Sequence, residues 1–278
     1  SAMGAALDAA VHRIAQAQSG ELVTGTPGEM VSSCRNQVPV PTDFDRSSVA
    51  LAYERWAPIY DNAPNPLLAR EERHLLPLLS ELTNKRFLDL ACGTGRWLEK
   101  LMAQGARSAV GIDCSAAMLR VASKKNAIRN RLARTYCETL PFCAEVFDLA
   151  ICSFALEHIR DLDPVVSELA RVMKPGADVF VSDLHPEAYA RGWRVGFRDD
   201  RSAVQVEISP RAAEEIIQVF FLNGFECLAH LPLCLGDREK PIFRQAGKSH
   251  LFAAACRMPA ILFCHFRRFN HSVRNITR

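Results

Sequence analysis

The chain has 278 residues, 49% of them hydrophobic, which is enough for one large core with an appended segment. Its formal charge is +3, from 34 basic and 31 acidic residues, so no strong global field draws it to nucleic acid or to an anionic membrane. Ten cysteines without a C-x-x-C pair, most of them within or beside apolar runs, read as buried reduced thiols rather than a disulfide framework or a metal site.

A small or neutral partner fits this composition, and the sequence is silent on oligomeric state. Ser1-Ala2 reads as an expression scar before Met3, and no basic n-region followed by an apolar h-region opens the chain, so a cytoplasmic location is expected. The longest apolar stretch, Phe252 to Phe266, is broken by Arg257, Pro259 and His265 and falls short of the roughly 18 apolar residues of a membrane span.

In chain order, residues 1–43 read as a poorly ordered leader, with a short amphipathic pattern at Ala5 to Gln18 and then a stretch rich in Gly, Pro, Ser and Thr. Residues 44–84 turn helical, with Ala50, Tyr53, Trp56 and Tyr60 at helical spacing, and form an expected cap. From 85 to 268, apolar β-branched runs alternate with helical patterns, which predicts an α/β domain with a largely parallel sheet.

The expected strands are Arg86 to Leu90, Ala109 to Ile112, Ala133 to Cys137, Val146 to Cys152, Ala177 to Ser182, Phe225 to Leu233 and Ala260 to His265. Helices are expected at Arg96 to Ala103, Ser115 to Ala127 and Pro164 to Met173, with another opening at Ser209-Pro210 and stopping at Asn223-Gly224. Two insertions are expected, 186–208 containing a hairpin and 235–258 containing a long charged loop, before a basic tail at 269–278.

The strongest local signal is Phe87-Leu88-Asp89-Leu90-Ala91-Cys92-Gly93-Thr94-Gly95-Arg96, a strand ending in a carboxylate and turning through two glycines into a helix. Such a turn brings bare backbone close to a ligand, and the N–H groups at the helix start favour an anion. A dinucleotide site would place a third glycine where this chain has Leu98, and no G-K-[ST] triphosphate loop is present. Asp113 closes the next strand in Val110-Gly111-Ile112-Asp113 and is placed to accept ribose hydroxyls.

These segments, with Gly111 to Leu119, Leu140-Pro141-Phe142, Phe147 to Ala150, Leu156-Glu157-His158 and Leu169 to Gly176, resemble in order the motifs of class I S-adenosylmethionine-dependent methyltransferases. The resemblance covers roughly residues 47–267 and is greatest to the group that includes menaquinone and biotin pathway enzymes. It implies a Rossmann-like seven-stranded sheet with the last strand antiparallel, and S-adenosylmethionine as cofactor. It assigns Asp89, Gly93 and Gly95 to the methionine end, Asp113 to the ribose, Met118 to the adenine, and Tyr53 and Tyr60 to a lid. Where relatives often carry an acid for the adenine amine, this chain reads Tyr136-Cys137-Glu138, so that role falls to Glu138 or to backbone.

Methyl transfer from a sulfonium needs alignment and exclusion of water, and a base where the acceptor starts protonated. His185, directly after the fifth strand, is the first candidate base; His158 is the second, and Asp183 could orient His185 or act itself. The hairpin and the charged loop are expected to build a pocket for a small-molecule acceptor, with oxygen or nitrogen favoured over carbon as the methylated atom. Two other readings stay open: an RNA methyltransferase, from the arginines and aromatics interleaved between His265 and Arg274, and a binding protein without transferase activity.

Overall fold

A computed structural model describes residues 46–270, apart from 63, 80, 81 and 107. The expected leader at 1–43 and residues 271–278 of the tail lie outside the described residues.

Strand β1 (Arg86–Leu90) shows why the centre of the sheet forms. Phe87, Leu88 and Leu90 are fully buried and alternate between its two faces, as a strand covered on both sides requires. Parallel neighbours β2 (Ser108–Asp113) and β4 (Phe147–Ser153) flank it. The sheet extends through β3 (Leu132–Arg134) on one side and β5 (Met173–Leu184) on the other. Strand β9 (Pro259–Arg268) pairs antiparallel with both β5 and β8 (Phe225–Cys234), giving the order β3-β2-β1-β4-β5-β9-β8. A seven-stranded sheet with its last strand antiparallel is the expected architecture. Pro232 is tolerated inside β8 because β8 is an edge strand.

One face buries Leu88, Ala150, Val179 and Val181 beneath α5 (Asp163–Val172) and α7 (Ala213–Leu222). The other buries Phe87, Leu149, Ile151 and Phe180 beneath α3 (Arg96–Ala103), whose Trp97, Leu98 and Leu101 each contribute about 1.5–3 kcal/mol of burial. These alternating positions leave the strands' carboxyl ends as the polar edge.

Among the departures from the expected elements, four have a clear physical cause. Helix α4 (Ala116–Ala122) stops five residues early, because the Ser123 hydroxyl donates to the Arg120 carbonyl at 3.0 Å and draws the chain into turns. Strand β3 ends at Arg134, where the Thr135 hydroxyl donates to the Thr139 carbonyl at 2.7 Å and closes a loop. Helix α7 begins at Ala213 rather than Ser209, because the Ser209 N–H is bonded to the Glu157 carbonyl at 2.8 Å. The expected charged loop is a packed helical insert: Phe243 and Ala255 join the core, and fully buried Glu239 pairs with Arg73 of α2 (Pro66–Leu75).

Ahead of the sheet, α1 (Arg46–Trp56) and a 3-10 turn at Ala57–Asn62 pack on α4. The hairpin, β6 (Gly196–Arg198) and β7 (Ala203–Gln205), meets α1: Trp56 stacks on Phe197 at 5.0 Å and Arg55 pairs with Asp199 at 2.6 Å. No helix among the described residues is long and apolar enough to cross a membrane.

Candidate functional site

The turn after β1 is shaped by its two glycines for different reasons. Gly93 has φ +56, and a Cβ there would meet nothing within 4 Å, so its backbone faces open space. Gly95 has φ +81, and a Cβ there would lie 2.3 Å from the Ile128 side chain, so this glycine is dictated by packing. The Gly93 N–H donates to Asp113 Oδ2 at 2.8 Å, and the Ser115 N–H donates to Asp113 Oδ1 at 2.7 Å. A carboxylate holding one N–H on each oxygen still has lone pairs for two hydroxyls.

Asp89 is buried and accepts only a long 3.2 Å bond from the Leu98 N–H. Burial holds its carboxyl up at about 7 against the pull of Arg96. A bound cation would ionise it. Met118 is buried beneath Tyr53, Trp56 and Tyr60; Tyr53 stacks on Trp56 at 5.6 Å, and Tyr60 lies tilted against Trp56 at 5.0 Å. Burial pushes the Tyr60 phenol up to about 12. Glu138 follows β3, near the Cys114 and Cys137 thiols, which burial and then Asp113 push up, with a smaller contribution from Glu138.

The cap is tied directly to this turn. Thr94 donates to Asp61 at 2.6 Å, and Lys125 bridges Asp61 and Glu99. Fully buried Glu71 of α2 receives Arg96 from the turn and the Ser182 hydroxyl from β5, and Arg96 also donates to Ser153 of β4 at 2.9 Å. One Arg96 nitrogen, Nη1, stays buried without a partner. Sequence reasoning missed Glu71, although its signal was present: it stands between Leu67 and Leu75 on the apolar face of α2.

The second group lies at the ends of β4 and β5. His158 Nε2 is 2.8 Å from the Tyr53 hydroxyl and 3.9 Å from Glu157 Oε1. Burial pulls His158 down to about 4. Asp183 is buried beside Glu157, and burial followed by the Glu157 charge raises its carboxyl. Arg211 straps the loop that carries these residues, donating to the carbonyls of Leu156 and Arg160 at 2.8 Å and to that of Ile159.

The structure thus brings His158, Asp183 and Tyr53 together, with Glu157 among them, a residue that sequence reasoning quoted in a motif without assigning it a role. His185 is placed differently. It caps α6 (Pro186–Ala190), its Nδ1 accepting the Glu187 N–H at 3.2 Å, and no bond joins it to Asp183. The basic stretch near the C-terminus is also rearranged. Phe266 is fully buried, His265 and Arg267 both pair with Asp178, and Arg268 donates to the Met173 carbonyl, so this part of it belongs to the sheet.

A family model described as a methyltransferase domain matches residues 88–181. Among similar proteins, the ubiquinone biosynthesis O-methyltransferase of Hahella chejuensis is 36% identical over 138 residues, 48% of this chain and 55% of the relative. The demethylmenaquinone methyltransferase of Lactiplantibacillus plantarum is 34% identical over 138 residues, 45% of this chain and 57% of the relative. The chain thus spans little more than half the length of these relatives.

Among solved structures, an S-adenosylmethionine-dependent methyltransferase from Mesorhizobium loti aligns with TM-score 0.57 and 21% identity, over 73% of this chain and 100% of that one. A geranyl diphosphate C-methyltransferase from Streptomyces coelicolor, solved with S-adenosyl-L-homocysteine, aligns with TM-score 0.56 and 14% identity, over 73% and 79%. These two establish likeness of fold.

Proposed function

Since the chain carries a methyltransferase domain at residues 88–181 within the fold of the S-adenosylmethionine-dependent methyltransferases, we propose that it transfers a methyl group from S-adenosylmethionine to a small-molecule acceptor through oxygen or nitrogen. The observation that carries this reading is the cradle of Asp89, Gly93 and Asp113. It combines a glycine backbone facing open space, a ribose-ready carboxylate, and a buried acid whose carboxyl is held by burial at about 7. All three features fit the cofactor's amino acid and ribose.

In this reading Asp89 and the turn through Gly93 and Gly95 hold the methionine end, Asp113 the ribose and Met118 the adenine, with Glu138 toward the adenine amine. Gly95 contributes by letting Ile128 close behind the turn. When bound, the cofactor supplies a methyl group on a sulfonium, a leaving group that needs no acid. The protein's part is to align the acceptor, exclude water and receive a proton.

Tyr53, Trp56 and Tyr60 roof the site from the cap, and Phe197 extends that wall from the hairpin. The proton acceptor is sought among His158, Asp183 and His185. Relatives named for ubiquinone and menaquinone synthesis favour an aromatic hydroxyl compound as the first acceptor class to try. The test is a screen with methyl-tritiated S-adenosylmethionine against hydroxylated aromatics and amines. Asp113→Asn should lower the affinity for S-adenosylhomocysteine by calorimetry about tenfold or more. Unchanged affinity in that variant would contradict the cradle.

A further inference from the structure

The ends of β4 and β5 hold two acids that packing alone does not explain. Glu157 and Asp183 are 1% and 5% exposed, and the Glu157 carboxylate reaches the backbone of the residue that follows Asp183. Glu157 Oε2 accepts the Leu184 N–H at 3.0 Å, and the Asp183 carboxylate lies near the backbone of Glu157 and Ala155. The other oxygen of each, Glu157 Oε1 and Asp183 Oδ1, is buried with no hydrogen-bond partner. Arg211, whose charge reaches Asp183, has its guanidinium on three loop carbonyls and on Glu215 at 3.1 Å. A fold that only needed to fill this space would carry apolar residues here, because unpaired buried carboxylates are destabilising.

The Tyr53 hydroxyl marks what lies above the pair. It bonds His158 at 2.8 Å, and the same His158 nitrogen lies 3.9 Å from Glu157 Oε1, so the phenol stands one side chain away from the pair.

Resting on the methyltransferase reading, we propose that Glu157 and Asp183 form a carboxylate pair that shares one proton, and that its ionised member receives the proton leaving the methyl acceptor. The acceptor's O–H or N–H takes the place of the Tyr53 hydroxyl. As the acceptor atom bonds to the methyl carbon, the carbon–sulfur bond breaks and its electron pair stays on sulfur. The acceptor's proton passes to the carboxylate, leaving both acids neutral until the site reopens to solvent.

Glu157 bonds the residue next to Asp183, neighbouring carboxylates in a buried site resist ionising together, and burial already holds Glu157 up at about 7. The other titratable or charged groups facing the pair are Tyr53 from the cap, His158, Arg211, and the Cys152 and Cys264 thiols of β4 and β9. A pair of this kind selects neutral or cationic hydrogen-bond donors and rejects an acceptor that is itself a carboxylate.

The test is a ¹³C NMR titration of the full chain with labelled glutamate carboxyls, alongside a thermal melt with S-adenosylhomocysteine. One glutamate should titrate near 7 in wild type and be missing in Glu157→Gln; in Asp183→Asn its midpoint should fall by about one pH unit or more. Glu157→Gln should also lower kcat for a hydroxyl acceptor by roughly 10²–10⁴-fold, with the KM for the cofactor held. A wild-type chain stabilised by S-adenosylhomocysteine but lacking any glutamate that titrates above about 6 overturns the pair alone. That spectrum needs no variant to fold. If wild type is not stabilised by S-adenosylhomocysteine, the cofactor reading falls first, and this inference with it.

Discussion

The two halves of the sheet's carboxyl edge are built on different terms. At β1 and β2 one short stretch of chain does most of the work: a strand, a glycine turn and a second strand put Asp89, Gly93 and Asp113 within 25 residues of one another. At β4 and β5 the work is shared by distant segments. His158 meets Tyr53 across 105 residues, Ser182 meets Glu71 across 111, and Arg55 meets Asp199 across 144. The first half can be recognised locally; the second exists only once the chain has folded.

Glu71 is the link between them, since it takes Arg96 from one half and Ser182 from the other. Breaking that link should have the largest effect. Glu71→Ala leaves the buried Arg96 guanidinium without its counter-charge, at an expected cost of about 3–5 kcal/mol in urea unfolding. A loss below about 1 kcal/mol would mean that the two halves are held together elsewhere.

The two glycines divide the local half further. Gly95→Ala combines a left-handed backbone with a Cβ driven into Ile128 and should cost about 2–4 kcal/mol of stability. Gly93→Ala meets only the backbone strain, about 1–2 kcal/mol. Its main effect should instead be weaker binding of S-adenosylhomocysteine, because the added methyl enters the open side of the cradle. If both variants lost stability equally and bound alike, Gly93 would have no role beyond the turn.

Asp89 gives a pH signature for the same half. In the ligand-free protein its carboxyl stands at about 7, so between about 4 and 7 the folded chain keeps a proton that the unfolded chain has released. Its contribution to stability therefore falls as pH rises through that window. The melting temperature of Asp89→Asn, measured relative to wild type, should climb from pH 4 to pH 7. A flat difference would show that Asp89 is already ionised without a ligand. The smallest effect belongs to the distributed half: Tyr53→Phe removes one hydrogen bond to His158 and should cost about 0.5–1.5 kcal/mol.

This division explains what could be read in advance. The strand at 86–90 and the helix at 96–103 follow from periodicity and turn chemistry, which are local, while the antiparallel last strand is implied by the family resemblance of the ordered motifs. Asp89, Asp113 and Met118 stand at strand ends or on the first turn of a helix, where sequence spacing fixes position. Glu71 and Glu157 were hidden for the opposite reason, since their significance comes from partners more than 25 residues away or from burial. His185 reads as a candidate base from its place after a strand, and only the fold shows that one of its ring nitrogens caps a helix. In the charged run at 237–240, Asp237, Arg238 and Lys240 are exposed as charge suggests, whereas Glu239 is buried, and its partner Arg73 lies 166 residues away.

The central claim is that the cradle between β1 and β2 holds S-adenosylmethionine. The most direct test is a thermal melt of the full chain with S-adenosylhomocysteine, using NADH as the control. At about a hundredfold over its dissociation constant, a ligand of the native state adds about 2.7 kcal/mol, which for a chain of this size raises Tm by several degrees. The account predicts that rise with S-adenosylhomocysteine and none with NADH. No rise, or a rise with NADH alone, would contradict it.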